Sequence, residues 1–235
     1  MKKRYLSFAL IALLLVTGMF SCSKSSTVTP PKETVLYQTD FSSNDGRWVV
    51  GTISGGGATY YQNGNYFVVG GIGTYTYIKS NTGGATFTYS CISNVFNGSS
   101  GNIAAEASIK MSSAPNGAGM VWNFQSGGQN TSFYVFEINT SGQWGIYQYQ
   151  LVNATTNPNI YSITTITSGT ANSIIQQNQF NKLQIAQNNG QLQFSVNGTQ
   201  VSTMNATGNT LDQVGLFADV HSILQASSFE AVEWE

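Results

Sequence analysis

The chain has 235 residues, with nine Lys and Arg against ten Asp and Glu, a single His and two Cys. Charged residues make up 8% of it, against about 25% in ordinary soluble domains. The chain therefore has no basic footprint for nucleic acid or for an anionic membrane surface, and its two cysteines give no disulfide framework.

The first element is a leader. Met1-Lys2-Lys3-Arg4 precedes an apolar run from Leu6 to Val16 and then Thr17 to Ser21. A basic start, a short apolar stretch and a small residue before the cleavage point read as a secretory signal over 1–21, too short for a stable membrane span. Cys22, directly after Ser21, makes this segment resemble the lipobox of bacterial lipoproteins. That resemblance implies that Cys22 takes a diacylglycerol and becomes the acylated N-terminus. The lipid is then the only expected membrane contact. Residues 22–34, rich in Ser, Thr and Pro, predict a tether reaching ~35 Å at ~3 Å per residue. An acidic cluster after the cysteine would resemble the surface-export signal of Bacteroidota lipoproteins. None follows Cys22, so outer-membrane placement facing either the periplasm or the exterior stays open.

From Val35 to Glu235 the pattern is that of strands: short runs of β-branched and aromatic residues broken by Gly and Asn, with no long helical periodicity. Asn63-Gly64, Asn189-Gly190 and Asn197-Gly198 each separate two such runs. Asn-Gly is a strong hairpin signal because both central residues need positive φ, and the last two predict a three-strand meander. Two packed antiparallel sheets or a closed barrel follow, as a monomer without a second domain, its terminal strands side by side. Cys91 alternates with Phe87 and Tyr89 and reads as a buried structural thiol.

The hairpin 133–149 fixes a register. With Thr140-Ser141-Gly142 as a three-residue loop, Asn139 lies opposite Gln143, Ile138 opposite Trp144 and Phe136 opposite Ile146. That apolar face, continued by Met120, Trp122 and Phe124, is the expected core, and it takes Trp122 and Trp144 away from any ligand. The other face carries Asn123, Glu137, Asn139, Gln143, Tyr147 and Tyr149. Rings that stack on sugars and amides or a carboxylate that bridge hydroxyls fit an oligo- or polysaccharide. The same residues also suit a half-exposed face that only packs and dissolves.

The stretches Ala118 to Phe124, Ser132 to Gly142, Gln143 to Tyr147, Asn181 to Ile185, Leu192 to Gly198 and Val214 to Ala218 resemble the concanavalin A-like lectin/glucanase superfamily, in particular the laminin-G-like domains of bacterial lipoproteins. The resemblance covers about 35–235 and implies a two-sheet antiparallel jelly-roll sandwich whose concave sheet takes the ligand. Glucanases of that superfamily carry Glu-x-Asp-x-(x)-Glu on one strand. Here Phe136-Glu137-Ile138-Asn139-Thr140 supplies Glu137 alone, and Glu106, Asp212 and Asp219 read as isolated acids. One carboxylate cannot serve as both acid and nucleophile. The sequence therefore predicts a non-catalytic envelope lipoprotein that binds a neutral carbohydrate. The alternatives are a structural or protein-interaction lipoprotein, and a divergent glycoside-processing enzyme using Glu137. No cofactor is expected. The resemblance suggests a structural calcium, for which Asp40 and Asp45 could supply oxygens, the plain reading being an Asx-stabilised turn. His221 has no assignable partner and reads as a loop residue.

Overall fold

The computed structural model describes residues 32–53, 56–71, 87–97, 99, 102–125, 131–153, 160–208 and 210–234. The leader, Cys22 and the tether up to residue 31 lie outside them. In chain order the strands are β1 (Glu33–Thr39), β2 (Gly51–Ile53), β3 (Gly57–Gln62), β4 (Asn65–Val69), β5 (Thr88–Ile92), β6 (Ile103–Ser113), β7 (Ala118–Gln125) and β8 (Ser132–Ile138). There follow β9 (Gln143–Asn153), β10 (Ile160–Thr170), β11 (Asn181–Asn188), β12 (Gln191–Val196), β13 (Thr199–Asn205), β14 (Val214–Ala218) and β15 (Ile223–Trp234). No helix occurs among the described residues. The first strand begins two residues before Val35 because Glu33 and Thr34 already pair with Trp234 and Glu233 of the last one.

All three Asn-Gly pairs form two-residue turns with both φ positive: 51° and 69° at 63–64, 49° and 75° at 189–190, 50° and 77° at 197–198. Those values match the twist that antiparallel strands impose on a tight turn. Asn197 is fixed further by its own side chain, which accepts from Lys182 N and donates to Ile174 O and Asn181 Oδ1.

The strands form two antiparallel sheets. The larger runs β13-β12-β11-β6-β15-β4-β3-β2, with β1 also paired to β15; the smaller runs β10-β9-β8-β7-β14-β5. Between them lies the main core, in which Met120, Trp122, Phe136, Ile138 and Ile146 of the smaller sheet meet Ile109, Leu183, Phe194 and Phe229 of the larger. Trp122 is fully buried and packs on Tyr134 and Phe194 at 5.4 and 5.3 Å between ring centroids.

The smaller sheet is also buried on part of its outer face. Phe133, Tyr149, Tyr161 and Phe217 gather there around Phe87, whose ring centroid lies 5.0–5.5 Å from all four. Tyr149 and Phe217 stand on β9 and β14, separated by β8 and β7. Three strand spacings are about 14 Å, yet these rings meet at 5.5 Å. The sheet must therefore curl toward this face, which makes it concave. Phe124, expected in the core, joins the concave cluster instead, against Phe133 and Tyr89. Asn123 takes φ 50° and the β7–β8 register shifts between Trp122 and Gln125, so the alternation reverses at that bulge. Cys91 packs against the same cluster, and burial pushes its thiol up to about 12.

Trp122→Ala is expected to cost about 3–5 kcal/mol, read as a lower urea midpoint. A loss below about 1 kcal/mol would show that the two sheets do not depend on this ring.

Candidate active site

The β8–β9 hairpin forms in the register its sequence predicts. Ile138 pairs with Trp144, Phe136 with Ile146, Val135 with Tyr147 and Glu137 with Gly145. Gly142 at φ 74° closes the loop and Asn139 N donates to Gln143 O at 3.0 Å. Glu137 thus points to the concave side, between Gly119 of β7 and Gly145 of β9. Its carboxyl group lies against the backbone of Gly117, where a Cβ would collide with it.

The charged group that acts on Glu137 is Asp219, from the turn that follows β14. Asp219 N donates to Gly117 O at 3.1 Å, and its Oδ1 accepts from Val220 N at 2.7 Å. Both acids are buried, Glu137 at 3% exposure and Asp219 at 0%. Glu137 Oε2 has no hydrogen-bond partner among the described residues. Burial first, and then the charge of Asp219, raise the Glu137 carboxyl well above its ordinary range. Tyr147 folds its ring over Gly145; burial, followed by the charges of Glu137 and Asp219, pushes its hydroxyl up to about 12. Beside these groups lies a cavity of about 210 Å³ lined by Glu137, Ile138, Asn139, Gln143, Trp144, Gly145, Tyr147, Ser168, Gly169 and Thr170. A carboxyl group whose affinity for its proton is raised by burial, and which lines a polar cavity, has the chemistry of a proton donor to a bound oxygen.

Of the six residues singled out by sequence, Glu137, Asn139, Gln143 and Tyr147 line this cavity. Asn139 is locked into the turn, accepting from Ser141 N and Gln143 N and donating to Gln143 Oε1. Tyr149 is 1% exposed and stacks on Phe133. Asn123 is 3% exposed and works at the bulge: its N and Nδ2 donate to Asp212 O and Gly208 O, and its Oδ1 accepts from Gln125 Nε2. Neither residue lines the cavity. Asp219, read from the sequence as an isolated acid, instead acts on Glu137; its only local signal is an acid ending the apolar run Val214 to Ala218. Sequence reasoning also placed Trp144 wholly in the core, whereas this residue is half-buried, lies over Gly169 and lines the cavity.

Asp40 and Asp45 sit elsewhere, in a separate pocket with Gln38, Thr39 and Ser43. Asp40 Oδ1 accepts from Ser42 N and Asp45 Oδ1 from Arg47 N, both Asx turns, while Asp45 Oδ2 accepts from Tyr37 OH at 2.6 Å. A calcium ion there would have to compete with these bonds. No group of three or more His, Cys, Asp or Glu side chains is gathered for a metal among the described residues. His221 is exposed, in the turn after β14, with φ 58°.

The sequence matches no protein-family model and no curated protein. Solved structures do share its architecture. An endo-β-1,3-glucanase from Pyrococcus furiosus superposes with a TM-score of 0.54 at 11% identity, over 87% of this chain and 96% of that one. The κ-carrageenase of Pseudoalteromonas carrageenovora, in complex with an oligotetrasaccharide of κ-carrageenan, gives 0.53 at 9% identity, over 92% and 100%. The fold is the concanavalin A-like jelly roll. A glycoside hydrolase family 16 endo-glucanase from Bacteroides ovatus, at 0.50 and 11% identity over 84% and 100%, has the same jelly roll.

The expectation of a non-catalytic domain is overturned. It rested on the lack of a second acid on the strand of Glu137, and the fold brings the charge of Asp219, from the turn after β14, to bear on it. The three jelly rolls named above are, moreover, glycoside hydrolases.

Because the Glu137 pKa is raised on folding, the native state holds its proton more tightly than the unfolded chain does. Stability is then fullest below the ordinary value of 4.5 and falls as pH rises from there toward the folded pKa, at a limiting slope of about 1.4 kcal/mol per pH unit. Glu137→Gln should remove this fall, gaining on the wild type in urea titrations as pH rises above 4.5. A wild-type-to-variant difference independent of pH would contradict the burial of an ionisable group here.

Proposed function

We propose that this protein is a divergent glycoside hydrolase acting on a neutral glycan, with Glu137 as proton donor and Asp219 as its carboxylate partner. The observation that carries this reading is the buried Glu137 carboxyl at the cavity on the concave sheet, its Oε2 without a hydrogen-bond partner among the described residues and under the charge of buried Asp219. Glu137 gives its proton to the glycosidic oxygen as the bond from that oxygen to the anomeric carbon breaks. Water supplies the hydroxyl that the anomeric carbon gains, and its proton returns to the carboxylate pair. Gln143, Ser168 and Thr170 offer groups for sugar hydroxyls, and Tyr147 and Trp144 offer apolar surface. The described lining residues include no Lys or Arg, which favours an uncharged substrate over a sulfated one. The named neighbours, a glucanase and a κ-carrageenase, support a carbohydrate substrate in general.

The test is hydrolysis of a panel of β-1,3-glucan, mixed-linkage glucan and κ-carrageenan, read as released reducing sugar. Release is expected from a neutral glucan and not from κ-carrageenan, and Glu137→Gln and Asp219→Asn should each lower it by about 10²–10⁴-fold. Full activity in either variant, with the fold intact by circular dichroism, would remove that residue from the chemistry.

The same reading places the enzyme on a lipid anchor at Cys22, as an outer-membrane lipoprotein and a monomer. Its support is the order of basic, apolar and small residues before Cys22. Expressed from its full sequence in a bacterium, the protein should partition with membranes and carry a diacylglyceryl mass at Cys22. Cys22→Ala should abolish both; an unmodified N-terminal peptide in the wild type would refute the anchor.

A further inference from the structure

We infer that Tyr147 is a positioning residue for Glu137, its ring supplying the apolar wall that keeps water from the carboxyl group and the proton on it; this rests on the hydrolytic reading above. The strand register sets the arrangement. Gly119 of β7 pairs with Glu137 of β8, Glu137 with Gly145 of β9, and Gly145 with Ser168 of β10. Residues paired in this way carry their side chains on one face of the sheet, about 5 Å apart. The lateral neighbours of Glu137 on the concave face are therefore two glycines, which bring no side chain of their own.

A carboxyl group between two bare glycines would be open to water, yet Glu137 is 3% exposed. On the β9 side the gap is filled from further along the strand. The ring of Tyr147 leans back over Gly145, with Cε2, Cζ and the hydroxyl oxygen at the place a Cβ of residue 145 would take. It thus stands where the side chain next to Glu137 would be, and both residues line the cavity. The wall is the ring and not the hydroxyl, because Glu137 Oε2 accepts from no group among the described residues, Tyr147 included. An apolar ring in place of water leaves the charged form of the acid unsolvated and favours the proton.

The other described groups beside Glu137 separate cleanly from this effect. Gly117 and Gly119 carry no charge, and Tyr147 itself stays neutral below about 12. Asp219, from the turn after β14, acts on Glu137 by its charge, and His221, further along that turn, is exposed. Replacing Tyr147 leaves Asp219 in place, so a shift on its loss reports the ring.

The experiment compares the intact protein with Tyr147→Ala and Tyr147→Phe, each with and without Glu137→Gln, in urea titrations across pH. The gain of Glu137→Gln over its parent should level off about one pH unit lower, or more, in Tyr147→Ala, and at the wild-type pH in Tyr147→Phe. On a neutral β-glucan, the pH above which release of reducing sugar falls should move down with Tyr147→Ala and return with Tyr147→Phe. Tyr147→Val, too short to reach Gly145 and suited to a strand, replaces an alanine variant that does not fold. A folded Ala or Val variant that keeps both wild-type pH profiles would remove Tyr147 from this role. A rise in KM with those profiles unmoved would make it a sugar contact only and overturn the inference in the same way. A downward shift in the urea titrations, with no sugar released by any form, would instead overturn the hydrolytic reading and leave the ring's hold on the acid standing.

Discussion

Keeping an acid buried beside a second acid is the constraint on which the smaller sheet depends. A charged carboxylate out of water costs several kcal/mol unless it is fully partnered, and Glu137 Oε2 has no partner among the described residues. Retaining the proton is the lower-energy state. The surrounding residues follow from that. Gly119 and Gly145 flank Glu137 on the adjacent strands, and Gly117 leaves its Cα uncovered under the carboxyl group. Any side chain at 117 would compete for the space the carboxyl occupies. The glycines therefore serve the acid as well as the strands that carry them.

The curl of the sheet is the second requirement, and aromatic packing holds it. Rings on β9 and β14 reach each other only because the strands between them bend away. The same curl brings Asp219, at the end of β14, toward Glu137 two strands away, with Gly117 linking them through its carbonyl. One end of the concave face is thus a second hydrophobic core and the other a polar cavity. Phe133, Val135 and Glu137 alternate along β8 from the first to the second, so the packing that curves the sheet also orients the acid. Side chains held by rigid strands position chemical groups more tightly than loops do.

Much of this is legible in the sequence because it is local. The Asn-Gly turns carry their own backbone requirement. The β8–β9 register follows from loop length and Gly142, so spacing alone puts Glu137, Asn139, Gln143 and Tyr147 on one face. Asn123 marks where that logic ends. A single bulge residue reverses the alternation of β7, moves Phe124 from the core to the concave face and turns an expected ligand contact into a backbone brace. Nothing in the local pattern distinguishes Asn123 from an ordinary outward-facing amide. Tyr149 departs from expectation for a related reason: its burial depends on Phe87, which comes from a distant part of the chain.

The acid pair shows the same limit most clearly. A motif for catalytic carboxylates runs along one strand, where spacing alone decides which side chains share a face. Glu137 and Asp219 share a face through pairings of β8 with β7 and of β7 with β14, and no spacing records that. The second acid is indeed missing from the strand of Glu137, yet this does not exclude catalysis. The chemistry needs two carboxyl groups close in space with different affinities for a proton. Burial and the neighbouring charge raise the affinity of Glu137 for its proton, and Asp219 Oδ1 accepts from the backbone amide of Val220. At 9–11% identity the resemblance to hydrolases speaks only for the scaffold. What speaks for chemistry is the chain's own arrangement: a buried glutamic acid that lines a polar cavity, one carboxyl oxygen unpartnered among the described residues, its proton affinity raised by burial and by the charge of Asp219.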